Sequence, residues 1–315
     1  MQAKYLDQWR ILPRVMRPVQ PSRNLSTILF NRRFPAPVVM APIGVQTLFH
    51  PTGERATSKI FGELGLPYTQ STASSTGFVD VAASNGVGNP RWYQLYWPSD
   101  DDLMRSYLHT AKANGFEVLV VTVDTWDLGW RTRDLDRGLF PFIDGVGVQI
   151  GLEDPVAHQK LGFNPLDANA TAEQKQTAAL YHTITTSRGV SPVWENLWKL
   201  REAWGDAPIL LKGVQSVEDA KLALDWGLDG VILSNVSVGR CVYFCEADGV
   251  QHGGRQIDGA IGSLDALPAI VEAVKGKLVI GFDGGIRSGA DMYVVFLFPP
   301  LRLALLHTFG DCSLV

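Results

Sequence analysis

PILLKGVQSVEDAKLALDWGLDGVILSN, residues 208–235, carries a complete strand–helix–strand repeat. Its first run, ILL, ends in Lys212, and its last, VIL, ends in Ser234. Neither run alternates between apolar and polar, so both faces of each strand need cover, as they do in a parallel sheet with helices packed on it. Between them, Ser216–Trp226 places apolar residues at helical spacing behind a serine of the kind that caps a helix start. The stretch therefore reads as one βαβ unit.

The same pattern recurs outward in both directions. Apolar, β-rich runs are found at Pro37–Ile43, Tyr68–Thr72, Trp92–Trp97, Val118–Asp124 and Leu278–Asp283, and further helical stretches at Asp101–Asn114, Val193–Trp204 and Leu264–Lys275. Seven βα units are visible in all, more than half of a doubly wound sheet needs. The expected fold class is α/β, a TIM (β/α)8 barrel, incomplete at its carboxyl-terminal end. In such a barrel the chemistry sits just beyond the carboxyl ends of the strands, so polar residues there carry functional weight. The connection from about Trp126 to Ser191 is longer than a crossover requires and is expected to fold over the site as a lid.

Composition narrows the function. The chain has 315 residues, 46% of them hydrophobic, enough for one barrel and its extensions. The formal charge of −4 comes from interspersed acids and bases, with no Lys/Arg block to track a phosphate backbone, so nucleic acid is not an expected partner. MQAKYLDQWR at the start is polar where a secretory signal needs an apolar run, which points to the cytoplasm or an organelle matrix. Cys241, Cys245 and Cys312 are too few for a disulfide framework, and C-x-x-x-C alone lacks the second ligand pair of a zinc site.

Singly, the strand-end residues are ambiguous. Gln94 and Tyr96 read equally as a buried hydrogen-bonding pair. Asp124, followed by Gly129-Trp130-Arg131, reads equally as half of a structural ion pair. Lys212 is harder to explain structurally, because a lysine closing a barrel strand faces the mouth of the barrel. His252-Gly253-Gly254-Arg255 sets a titratable base three residues from a fixed cation. Asp283-Gly284-Gly285-Ile286-Arg287-Ser288-Gly289 is a glycine-rich turn between strand and helix, where backbone N–H groups bind phosphate.

Taken together and in order, MAPIG, QLYW, TVDT followed by GWR, LLKGV, HGGRQIDG and DGGIRSGAD resemble the FMN-dependent 2-hydroxy acid dehydrogenase family, from about Arg10 to Met292. WRILPRVMRPV and the long fourth connection are most similar to its lactate 2-monooxygenase branch. The resemblance implies FMN as cofactor, held by Ala41, Pro42, Ser71, Gln94, Thr122, Lys212 and Ser234, with the phosphate on Asp283, Gly284, Gly285 and Arg287. It places substrate handling and catalysis on Tyr96, Asp124, Arg131, His252 and Arg255. The implied reaction oxidises a small L-2-hydroxy acid, lactate foremost, to the 2-keto acid with dioxygen as acceptor, with or without oxidative decarboxylation. A homotetramer without a membrane partner is the implied assembly.

Two stretches depart from the family pattern. Val236–Gln251, VSVGRCVYFCEADGVQ, separates Ser234-Asn235 from His252, which the family joins directly. Valine codons all begin GT and one glutamine codon is CAG, so these are the boundaries of an in-frame retained intron. After Met292 the chain reads YVVFLFPPLRLALLHTFGDCSLV, with no Gly-Arg to bind phosphate and with Pro299-Pro300 in its apolar run. The expected organisation is thus a segment 1–36 packing on the barrel, a barrel 37–292 with the insert 236–251, and an out-of-pattern tail 293–315 supplying no regular eighth strand. The rival reading is a catalytically impaired flavin scaffold.

Overall fold

A computed structural model of the chain describes residues 11–16, 24–125, 127, 129, 132–187, 192–234, 260–298 and 301–306. Its strands are β1 (Thr27–Leu29), β2 (Arg32–Phe34), β3 (Val38–Met40), β4 (Tyr68–Ser71), β5 (Arg91–Tyr96), β6 (Val118–Thr122), β7 (Ile209–Lys212), β8 (Gly230–Ser234), β9 (Val279–Asp283) and β10 (Leu301–Leu306). The helices are α1 (Glu54–Glu63), α2 (Phe78–Asn85), α3 (Asp101–Ala113), α4 (Thr132–Asp136), α5 (Gln149–Glu153), α6 (Pro155–Leu161), α7 (Ala172–Thr186), α8 (Leu197–Trp204), α9 (Val217–Asp225), α10 (Ser263–Val274) and α11 (Gly289–Phe296). Strands β1 and β2 form an antiparallel ribbon, and the other eight form a closed barrel in the order β10-β3-β4-β5-β6-β7-β8-β9. This is the TIM-barrel fold.

The eighth strand corrects the expectation for the tail. Residues 301–306, LRLALL, pair in parallel with β9, with Leu303 opposite Gly281 and Leu305 opposite Asp283. The Ala304 amide donates to the Pro37 carbonyl at 2.9 Å. The strand begins at Leu301, after Pro299 and Pro300 in the sequence, so the run LRLALL itself contains no proline. Leu303 and Ala304 are fully buried, which is what holds the strand in place. One irregularity, between Leu301 and Leu303, marks the joint.

Contacts divide the chain into two compact units, residues 1–39 with 213–315, and residues 40–212. In the second unit β4, β5, β6 and β7 pair in continuous parallel register, and Ser71, Tyr96, Thr122 and Lys212 are their last residues. Each strand is buried almost throughout, as runs apolar on both faces require. Helix α3 is capped by Asp100, whose side chain accepts the N–H of Asp102 and Leu103, and it buries Leu103, Met104, Tyr107, Leu108 and Ala111 at helical spacing.

The long fourth connection, expected as a lid, carries α4 to α7. It has a small core of its own: Val148, Leu152, Ala178 and Ala179, with Phe142, Leu161 and Phe163 packed against them. Thr171 and Gln174 cap α7 reciprocally. The Gln149 amide donates to the Ser74 carbonyl at 3.1 Å, which ties α5 to the loop after β4. In the first unit β8 and β9 pair from Gly230↔Val279 to Ser234↔Asp283, with α9 and α10 packed together. Among the described residues no helix is long and apolar enough to cross a membrane, and no group of His, Cys, Asp and Glu could hold a metal ion.

Candidate active site

The carboxyl ends of β4, β5 and β6 are joined by a row of buried polar side chains. Ser71 donates its hydroxyl to Gln94 Oε1 at 2.9 Å, and Gln94 Nε2 donates to Thr122 Oγ1 at 2.9 Å. The Thr72 amide also donates to Gln94 Oε1, at 3.3 Å, and the Ala73 amide to Ser71 Oγ at 3.1 Å. The row follows from parallel register, which sets Ser71 opposite Gln94 and Thr122 opposite Lys212. Of the two readings of Gln94, the structure thus supplies partners in Ser71 and Thr122. Tyr96, half-buried at the end of β5, donates its amide to Thr72 Oγ1 at 3.0 Å.

Lys212 is 2% exposed. A buried lysine needs polar partners in place of water, and the register sets Lys212 opposite Thr122 at the end of the hydroxyl and amide row. Ala41 is fully buried and Pro42 partly so, directly after β3. Asp124 is partly buried two residues beyond β6, and it accepts the Thr125 hydroxyl at 3.4 Å.

In the first unit, Ser234 donates to Asp283 Oδ2 at 3.0 Å, both fully buried at the ends of β8 and β9. Gly284 and Gly285 follow with φ of 117° and 73°, a pair of left-handed conformations that side-chain-bearing residues rarely adopt. Ser288 then caps α11 in a reciprocal box with Asp291. The Asp291 carboxylate accepts the amides of Arg287 and Ser288, each at 2.9 Å. Arg131, His252 and Arg255, and the insert 236–251 with its two cysteines, lie outside the described residues, as do Cys312 and residues 307–315.

Sequence reasoning missed two buried groups of the second unit. His182, on α7, shares a 2.9 Å hydrogen bond between its Nδ1 and the Tyr107 hydroxyl, and burial lowers its pKa to about 4. Glu54, the first residue of α1, is fully buried. A lone histidine in a polar connection and an acid at a helix start are both ordinary surface features, so no pattern singled them out.

Comparison with known proteins gives a consistent result. The family model described as FMN-dependent dehydrogenase matches residues 2–295. An FMN-dependent alpha-hydroxy acid dehydrogenase of Penicillium citrinum is 44% identical over 90% of this chain and 65% of its own length. An L-lactate oxidase of Lysinibacillus sphaericus is 36% identical over 90% of this chain and 66% of its own length. The chain therefore spans about two thirds of the length of these curated relatives. Among solved structures, a mandelate oxidase crystal structure superposes with a TM-score of 0.73 at 30% identity, covering 97% of this chain and 74% of the other.

Proposed function

The chain belongs to the FMN-dependent dehydrogenase family, and from that premise we propose that it oxidises an L-2-hydroxy acid to the 2-keto acid, with L-lactate as the leading substrate and dioxygen as the final acceptor. The observation that carries this reading is the buried Lys212 beside the Ser71–Gln94–Thr122 row. An ammonium, a carboxamide and two hydroxyls are the donor and acceptor set that a flavin's carbonyl-bearing ring edge needs, so the residues fit FMN. Ala41 and Pro42 after β3 would offer backbone and apolar contact, and the resemblance to the family assigns Ser234, Asp283, Gly284, Gly285 and Arg287 to the same cofactor.

When bound, FMN supplies a two-electron acceptor. The chain's residues do the rest. The guanidinium groups of Arg131 and Arg255 hold the substrate carboxylate, because a planar fork matches a carboxylate in two hydrogen bonds. His252 accepts a proton from the substrate, and Asp124 stabilises and orients its imidazolium form. Tyr96 hydrogen-bonds the substrate oxygen. Lys212 would place its positive charge at the ring edge and so favour a reduced, anionic flavin. Lactate is favoured by the L-lactate oxidase relative and by the resemblance to the lactate 2-monooxygenase branch.

The absorption spectrum of the purified full chain, followed by anaerobic addition of L-lactate, tests the reading. A bound flavin that bleaches is the expected result, and product analysis in air then separates pyruvate and peroxide from decarboxylated acetate. A colourless protein that takes up no added FMN overturns it.

A further inference from the structure

Glu54 opens α1 yet is completely buried, an unusual place for a carboxylate. Its two oxygens reach two different loops. Oε1 accepts the amide of Gln46 at 3.2 Å and that of Ser75 at 3.0 Å, while Oε2 accepts the Thr76 hydroxyl at 2.9 Å. Gln46 lies in the loop after β3, and Ser75 and Thr76 lie in the loop after β4. Charged acceptors make the stronger hydrogen bonds, and the amino end of a helix favours an anion, so these contacts offset the cost of burying the carboxylate. The burial and negative charge around Tyr68, the charge being that of Glu54, push that phenol well above its ordinary range.

The same two loops meet at a second point. The Val45 amide donates to the Ala73 carbonyl at 2.8 Å, and Val45 sits at φ 49°, ψ 32°. A β-branched residue adopts that left-handed conformation only where its surroundings hold it there. A Cβ on Gly44 would come within 2.6 Å of the Ala73 carbonyl oxygen, so the loops touch backbone to backbone. Gln46 fastens the first loop to α1 through Thr57, whose hydroxyl donates to Gln46 Oε1 at 2.8 Å, and braces it by donating to the Ile43 carbonyl at 2.9 Å. The first loop begins with Ala41 and Pro42, and Ser71 ends the strand that feeds the second, its Oγ accepting the Ala73 amide.

We propose that Glu54 is a positioning residue for the cofactor: its carboxylate locks the loops after β3 and β4 into one rigid wall and so sets the geometry of the FMN contacts at Ala41, Pro42 and Ser71. The inference rests on the FMN reading above. Its structural half is independent of it, because the lock exists in the protein with or without the flavin.

The test compares the full chain with Glu54→Ala, Glu54→Gln and Gly44→Ala by amide hydrogen exchange and by FMN titration. Glu54→Ala should speed exchange at Val45, Gln46 and Ser75 together and weaken FMN affinity about tenfold or more, since small misplacements at a site are costly. Glu54→Gln should restore most of both, because its Oε1 still accepts two amides and the Thr76 hydroxyl can turn to accept from the new amide. Gly44→Ala, which wedges the loops apart without touching the carboxylate, should weaken FMN in the same direction. It decides the case should Glu54→Ala fail to fold. Loosening of only one loop overturns the inference, as does parent-like FMN affinity in a Glu54→Ala protein that merely melts earlier. A parent chain that binds no FMN refutes the proposed function, and the exchange data then decide the lock by themselves.

Discussion

Lys212 and His182 show how far a single buried group decides behaviour. Lys212 is an ammonium at the end of a buried strand, so Lys212→Met keeps the volume and removes the charge. The expected outcome is weaker FMN binding and loss of sulfite addition to the bound flavin, because that adduct also places negative charge on the ring. Unchanged sulfite affinity, read from the visible spectrum, removes Lys212 from the ring edge. His182 titrates at about 4 in the folded chain, below its ordinary 6.5, because burial penalises the imidazolium. Between those values the unfolded chain binds more protons, so the group's stabilisation is complete above pH 6.5 and is lost as the pH falls through 4. The loss is on the order of 3 kcal/mol. Asp154, raised by its own burial, works in the opposite sense. Urea unfolding at pH 7 and pH 5 should therefore show a smaller acid loss in His182→Gln than in the parent, and identical pH slopes would sink this assignment. Lys212 was legible in the sequence because a cation closing an apolar strand has no structural excuse. His182 was not, since its partner Tyr107 lies far away in the chain and only the packing of α3 on α7 brings them together.

At the scale of elements, the strands were the most legible part, and their boundaries show why. Pro208–Val214 shrinks to Ile209–Lys212, and Pro37–Ile43 to Val38–Met40, because the apolar pattern continues past the last ladder bond into the loop that carries the site. The tail failed as a reading for the opposite reason. It lacks the Gly-Arg of the family pattern and its apolar run carries two prolines, so the strand that begins after them was not read as one. Burial is what identifies it, and burial can be tested. Leu303 is fully buried, so Leu303→Ala should cost about 2–5 kcal/mol in urea unfolding of the full chain. A change below about 0.5 kcal/mol, the range of ordinary surface substitutions, would show that β10 is not part of the barrel in solution. The cap of α11 offers a finer test. Ser288→Ala removes the hydroxyl that accepts the Asp291 amide and should cost about 1 kcal/mol.

For the whole molecule, the barrel tolerates what the chemistry does not. Loop closure costs only about 0.6 kcal/mol per doubling of length, so residues 236–251 can sit between β8 and the HGGR motif without unfolding the barrel. Catalysis is stricter, because a base displaced by about 1 Å can lose a hundredfold in rate. The insert separates Ser234, paired with Asp283 at the ends of β8 and β9, from His252 and Arg255, which the proposed mechanism requires to act together. Its first codon begins GT, its last can be CAG, and it is in frame, which together favour a retained intron over an acquired loop. Deleting residues 236–251 from the full chain should therefore raise the rate of anaerobic flavin reduction by L-lactate by about a hundredfold or more, with little change in unfolding free energy. A deletion variant that reduces its flavin no faster than the parent would make the insert a working part of the site, and abundant mature message carrying those sixteen codons would agree with that outcome.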